Sequence, residues 1–237
     1  VLPALKSWVA KLDPKDPRLE HHQFEALWTT WGLNHVDEAL LRQLLAAKDF
    51  HARAAAVRVL HYNTHAVAEH AALLEKAAAD PQGRGRLEAI IAASWMNNAA
   101  GKKIVAIAAG HEIYFREAHC ATCHMPDGKG LDPAFPPLAA SPWVSGDPQR
   151  LIKLTLHGMM GPFELKGKKF NGLVPMTPFG GMLKDDEIAA VLTYVRNNFG
   201  NKVPAVHAAE VTEVRTGTKA HQSFYIAEEL LKEHPLE

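Results

Sequence analysis

Cysteine is nearly absent from this sequence: there are two in 237 residues, Cys120 and Cys123. No disulfide framework can organise the fold. Nor does any apolar run approach the roughly eighteen residues of a membrane span, and the amino terminus lacks a basic and then apolar leader. Neither sign of charge is in excess, with 26 Lys and Arg against 26 Asp and Glu. The global charge therefore gives no argument for nucleic acid or an anionic membrane surface as a partner. What is present is 47% hydrophobic residues, enough to bury one large core or two modest ones. The chain opens at Val1 and not at methionine, as expected of a processed protein or a piece of a longer one.

The first hundred residues read as helices. Gln23 to Ala26, Arg53 to Ala56 and Arg86 to Ala89 each set a polar residue three before an alanine, and an aspartate lies upstream of each, at Asp16, Asp49 and Asp80. Asp16 and Asp80 precede prolines, the order of a helix cap and a first helical residue. Alanine at a repeated position lets neighbouring helices approach closely, and the period suits paired-helix repeats. These features resemble HEAT-type repeats. Gly101, Lys102 and Lys103 read as an interruption, after which glycines and prolines multiply. The expected organisation is all-α, with helical repeats over residues 1–100 and a second domain over 101–237. In the second domain, helices are expected from about Ile107 to His119, from Asp185 to Phe199 and around Ile226 to Lys232.

Cys120-Ala121-Thr122-Cys123-His124 is a C-x-x-C-H sequence, the attachment signature of c-type haem. Two thiols three apart on a helical turn can both add to the vinyl groups of one porphyrin, and the adjacent imidazole then faces the iron. A zinc site would want further thiolates, and the chain has none. A thioredoxin-like pair would follow a strand, whereas the upstream segment reads as a helix.

From residue 107 to 200 the chain resembles the class I cytochrome c family. Gly110, Tyr114 and Tyr194 match the glycine and aromatics through which its first and last helices cross, although the gap from Tyr114 to Cys120 is two residues longer than in the mitochondrial pattern. The resemblance implies that Pro136, with Pro137 as fallback, offers its carbonyl to the ring N–H of His124. It also implies that Met176, in Val174-Pro175-Met176-Thr177-Pro178-Phe179-Gly180, is the second axial ligand, with Met182 the runner-up. Met159 and Met160 read as packing around the porphyrin, and Leu151, Ile152 and Leu154 as its apolar cover. Trp143, Arg150 and Asn171 are candidate donors to haem propionates, since a carboxylate near the interior needs partners. Residues 164–172 read as a hairpin or loop shielding one haem edge, and His111 and His119 as surface histidines.

One haem c with both axial positions filled leaves no place for a substrate, so the expected function is electron transfer. The arrangement is similar to the carboxy-terminal haem-binding region of large secreted proteins of Planctomycetes and Verrucomicrobia. That resemblance implies a redox partner protein or an upstream dehydrogenase domain as electron donor, and a periplasmic or secreted location. Two other readings stand beside it: a haem enzyme of peroxidase type whose methionine loop moves aside, and a repeat-based binding module in which the haem is a staple or sensor.

Overall fold

A computed structural model describes residues 1–236. The chain divides into two compact units, Val1–Val105 and the residues from Ala106 onward.

The first unit is built from α1 (Leu2–Val9), α2 (Leu19–Gly32), α3 (Glu38–Leu44), α4 (Phe50–Tyr62), α5 (His70–Ala77), α6 (Gly83–Ser94) and the start of α7 (Ala99–Glu112). α2 packs on α4 and α4 on α6, while α3 and α5 pack against the helices on either side of them. The repeated alanines Ala26, Ala56 and Ala89 are all buried, as close helix approach requires. The three aspartates share one role: Asp16, Asp49 and Asp80 each accept from the backbone N–H two residues on, in Arg18, His51 and Gln82. Only Asp49 is itself the residue capping its helix; Asp16 and Asp80 with their prolines form the turns that precede α2 and α6. Arg53 donates through Nε and Nη2 to both carboxylate oxygens of Asp80, at 2.6 and 2.9 Å, a bidentate pairing that fixes α4 on the turn before α6.

The expected interruption at Gly101–Lys103 is absent, because α7 runs through it. Asn98 accepts from Gly101 N–H at 3.0 Å, Lys103 pairs with Glu75 at 3.1 Å, and a Cβ at position 101 would lie 2.6 Å from the Ala93 carbonyl oxygen. Glycine here answers a close approach and not a helix end.

In the second unit α7 continues into a π-helical turn, Ile113–Glu117, closed by Ala118 N–H donating to the Ile113 carbonyl at 2.9 Å. A wider turn takes up extra residues without breaking the helix, and it falls in the stretch that is long relative to the mitochondrial spacing. There follow α8 (Cys120–His124), α9 (Pro142–Ser145), α10 (Pro148–His157), an antiparallel hairpin of β1 (Phe163–Leu165) and β2 (Lys168–Phe170), then α11 (Asp185–Arg196), α12 (Ala208–Gly217) and α13 (Ala227–Glu233). The hairpin is the one departure from an all-helical set of elements among the described residues. α11 stops at Arg196 and not Phe199, which has a left-handed φ of +56°. α12 has no counterpart in the sequence reading, because only Val211 and Val214 of its residues are buried. α7 and α11 cross where a Cβ on Gly110 would lie 2.1 Å from the Ala190 carbonyl oxygen and 2.6 Å from Tyr194 Cβ. Tyr114, fully buried, packs on Tyr194 and Phe199 with both ring centroids at 5.4 Å.

Candidate haem site

The turn α8 puts Cys120, Cys123 and His124 on one wall of a cavity of about 340 Å³, within the roughly 300–1,000 Å³ of ordinary cofactor and ligand sites. Residues of positive φ bracket it, His119 in the left-handed helical conformation at φ +50° and Met125 at φ +62° with extended ψ. Such conformations cost a side-chain-bearing residue on the order of 1–3 kcal/mol. The buried Tyr114 hydroxyl donates to the Met125 carbonyl at 2.8 Å, so the α7 end of the helix crossing also holds the exit of the attachment turn.

His124 Nδ1 lies 2.9 Å from the Pro136 carbonyl oxygen. A carbonyl can only accept, so Nδ1 carries the proton and Nε2 is left with its lone pair for a metal. Burial lowers the His124 pKa, outweighing the upward pull of that hydrogen bond; the ring is therefore neutral, the form that ligates. It keeps some accessible surface because it faces the cavity. Burial pushes the Cys120 thiol up to about 12, so this sulfur is held as the protonated thiol.

The same cavity is lined by Pro136, Trp143, Met159 and Met176. Met182 is 63% exposed and stands outside the lining, as does exposed Met160. Leu151 and Leu154 of α10 face the cavity, whereas Ile152 is turned into the core. Among the described residues, the buried Trp143 Nε1 has no hydrogen-bond partner. A buried donor left without a partner in a residue that lines an apolar cavity suits an anionic side group of a cofactor.

The structure does not bring the other two expected propionate donors to this wall. Arg150 is fully buried, and its guanidinium donates to the carbonyls of Pro142, His234 and Pro235 at 2.8 to 2.9 Å. Its charge is absorbed by backbone dipoles, which corrects the expectation for that residue. Asn171 is exposed beyond the end of β2. His111 is likewise not a surface residue: it is buried between Phe115 and Tyr194, with centroids at 4.6 and 5.4 Å. His119 is exposed at the edge of the cavity.

Sequence reasoning missed the partner that Met176 finds. Met176 N–H donates to the Met159 carbonyl at 2.8 Å, joining the methionine loop to the Gly158-Met159-Met160-Gly161 segment. The glycines bracketing that segment were its only signal. The residues fit a covalently attached haem: two thiols, a neutral imidazole with a free Nε2, a thioether and an unpartnered indole N–H converge on one apolar cavity.

A family model for cytochrome c matches residues 107–199. A cytochrome c-552 of Thermus thermophilus is 41% identical over 105 residues, which cover 43% of this chain and 67% of that protein. The cytochrome c subunit of the quinone alcohol dehydrogenase of Gluconobacter oxydans is 36% identical over 110 residues, 46% of this chain and 22% of that subunit. The fructose dehydrogenase cytochrome subunit of Gluconobacter japonicus is 34% identical over 110 residues, 44% of this chain and 21% of the subunit. Because the likeness to the Thermus cytochrome runs over 67% of that protein, the chain belongs to the cytochrome c family, whose covalently bound haem the Cys120–His124 turn is built to hold.

Proposed function

We propose that the chain receives single electrons from a dehydrogenase partner and passes them on through one haem c, with His124 and Met176 as axial ligands. The observation that carries this reading is the convergence of His124 and Met176 on the cavity that both cysteines line, while His124 Nδ1 is committed to Pro136. When bound, the haem supplies a one-electron iron couple. Every other part of the work belongs to the protein. Pro136 orients the imidazole and raises its basicity. Pro175 and Pro178 stiffen the loop that presents a weak sulfur ligand. Trp143 Nε1 offers a donor to a propionate. His124 and Met176 would together hold the iron and leave no position for a substrate, so the reading is of a carrier and not of a peroxidase.

A dehydrogenase donor is supported by the relatives named as cytochrome subunits of alcohol and fructose dehydrogenases. It is supported also by the resemblance to haem-binding regions of large Planctomycetes and Verrucomicrobia proteins, in which the donor would be an upstream domain. A single C-x-x-C-H sequence supports a single haem. Covalent attachment outside the cytoplasm supports a periplasmic or secreted location, and no described helix is long and apolar enough to cross a membrane. The alternating contacts of α2, α4 and α6 and their buried alanines support a HEAT-like first domain, with the boundary near residue 100.

Purified holoprotein, denatured and weighed, should carry the mass of one haem, and Met176→Ala should lose the long-wavelength absorption of thioether-bound ferric iron. Retention of that band in Met176→Ala, with its loss in Met182→Ala, would refute the ligand assignment. Stopped-flow mixing with a reduced quinone-dependent or flavin-dependent dehydrogenase should reduce the haem faster than free dye does. If none does, the carrier reading fails.

A further inference from the structure

Three backbone segments lie abreast beside the cavity, and the outermost comes from beyond the region of family likeness, which ends at residue 199. Met159 pairs antiparallel with Met176 and parallel with Tyr225. On the tail side, Tyr225 N–H donates to the Gly158 carbonyl at 3.1 Å and Met160 N–H donates to the Tyr225 carbonyl at 2.9 Å. Two strands alone are marginal in water, and a third is what makes such a ladder persist.

Gly158 is the point where the segments meet. It has φ +76°, and a Cβ there would lie 2.4 Å from the Met176 carbonyl oxygen and 2.7 Å from the Phe224 ring. The tail is itself anchored at this level. Tyr225 is 4% exposed, stacked on His221 at 3.9 Å and met edge-on by His157 at 5.7 Å. His157 Nε2 hydrogen-bonds with the Thr218 hydroxyl at 2.7 Å. Through Gly158 and Met160 the hydrogen bonds of this cluster bear on the methionine side.

A neutral thioether is a weak ligand, so the time it spends on the metal depends on how firmly its loop is held. We propose that Phe224 and Tyr225 are positioning residues for Met176: the carboxy-terminal extension fixes Gly158–Met160, whose Met159 carbonyl pins the methionine loop against the cavity. The inference rests on Met176 being the axial ligand and adds that its hold is set from the tail.

The test uses ferric holoprotein and imidazole as the displacing ligand, since the methionine must leave before imidazole binds. Tyr225→Ala should bind imidazole at least tenfold faster than the parent and lose its thioether band at a lower pH, while Tyr225→Phe should match the parent. Phe224→Ala should move in the same direction. Ile188→Ala, which empties a fully buried position of α11 outside the cavity lining, shows what loss of stability does by itself, and equal acceleration in it and in Tyr225→Ala would overturn the proposal. So would parental imidazole rates in Tyr225→Ala and Phe224→Ala with the haem attached and helix content intact. Should neither alanine variant fold, amide exchange in the parent decides: Met160, Met176 and Tyr225 should open at one shared rate, and independent exchange of Met176 sinks the idea. Met176→Ala separates the two readings, because survival of the thioether band there removes the ligand assignment itself.

Discussion

Replacing Gly110 with alanine sets two effects against each other, and the structure says which wins. Alanine is the better helix former by about 1 kcal/mol in a helix interior, so an isolated α7 would be stabilised. In the folded protein the new methyl would lie 2.1 Å from the Ala190 carbonyl oxygen, 2.6 Å from that carbonyl carbon and 2.6 Å from Tyr194 Cβ. None of these atoms is the loose end of a flexible side chain, so relief requires α7 and α11 to move apart. Overpacking of this kind costs about 1–3 kcal/mol, and rigid backbone neighbours place it at the upper end. The net loss is then about 2 kcal/mol, or roughly 4–8 °C in melting temperature for a chain of this size. Moving the helices also disturbs Tyr114 and with it the bond to the Met125 carbonyl. Thermal melts followed by far-ultraviolet circular dichroism and by haem absorption should both shift. Gly217→Ala is the control, because nothing lies within 4 Å of its added Cβ and its backbone is not left-handed; it should be neutral or stabilising by about 0.5 kcal/mol. A Gly110→Ala melt at or above the parent's would refute the claim that close crossing, and not helix propensity, governs this position.

Tyr114→Phe leaves the Met125 carbonyl without its donor and should cost about 1 kcal/mol in urea unfolding; an unchanged midpoint would mean that water replaces the hydroxyl. Arg150→Met should lower stability by about 3 kcal/mol or more, since three backbone carbonyls lose a charged donor, yet leave the reduction potential nearly unmoved. A large shift in potential would restore Arg150 as a propionate partner. Burial pushes the Asp80 pKa up, but the hydrogen bonds from Arg53 and Gln82 N–H and the charges of Arg53 and Arg86 together bring it below its ordinary value. A carboxylate with a depressed folded pKa stabilises above its unfolded pKa of about 3.9 and loses that contribution as pH falls through the folded value. Denaturant unfolding of the first unit should therefore weaken below about pH 4, and Asp80→Asn should weaken it at neutral pH and flatten that acid limb.

What was legible in the sequence was local. The attachment turn could be read because its chemistry demands a fixed spacing within one helical turn, and the places of Met176 on the cavity wall and of Pro136 beside His124 because each stands in a short distinctive stretch. α11 was legible from Ile188, Val191, Leu192 and Val195, which share a face. The paired helices of the first unit were foreshadowed by alanines that close packing selects. The rest depended on contacts between distant residues. Tyr225 meets Met159 through a single isolated bridge, too short to impose a period of two on the sequence. α12 is polar on most of its surface. The interruption expected at Gly101 was a true signal of special packing misread as a helix end, because glycine marks close approach as often as termination.

Arg150 shows why the polar partners of the site were the hardest to read. Eleven of the chain's fifteen prolines lie beyond residue 105, and each removes a backbone donor while leaving its carbonyl. The loops around the cavity thus carry an excess of acceptors that neither a helix nor a ladder can satisfy. Guanidinium groups supply the missing donors, two of them buried and the third half-buried: Arg150 serves Pro142, His234 and Pro235; Arg196 serves Val144, Gly146 and Pro204; the half-buried Arg215 serves Gly180 and Leu183 beside its ion pair with Asp185. A buried arginine in this unit is therefore drawn first to backbone carbonyls, which must be satisfied wherever they are buried. Where such carbonyls are buried, these arginines supply donors that the prolines of the same unit cannot.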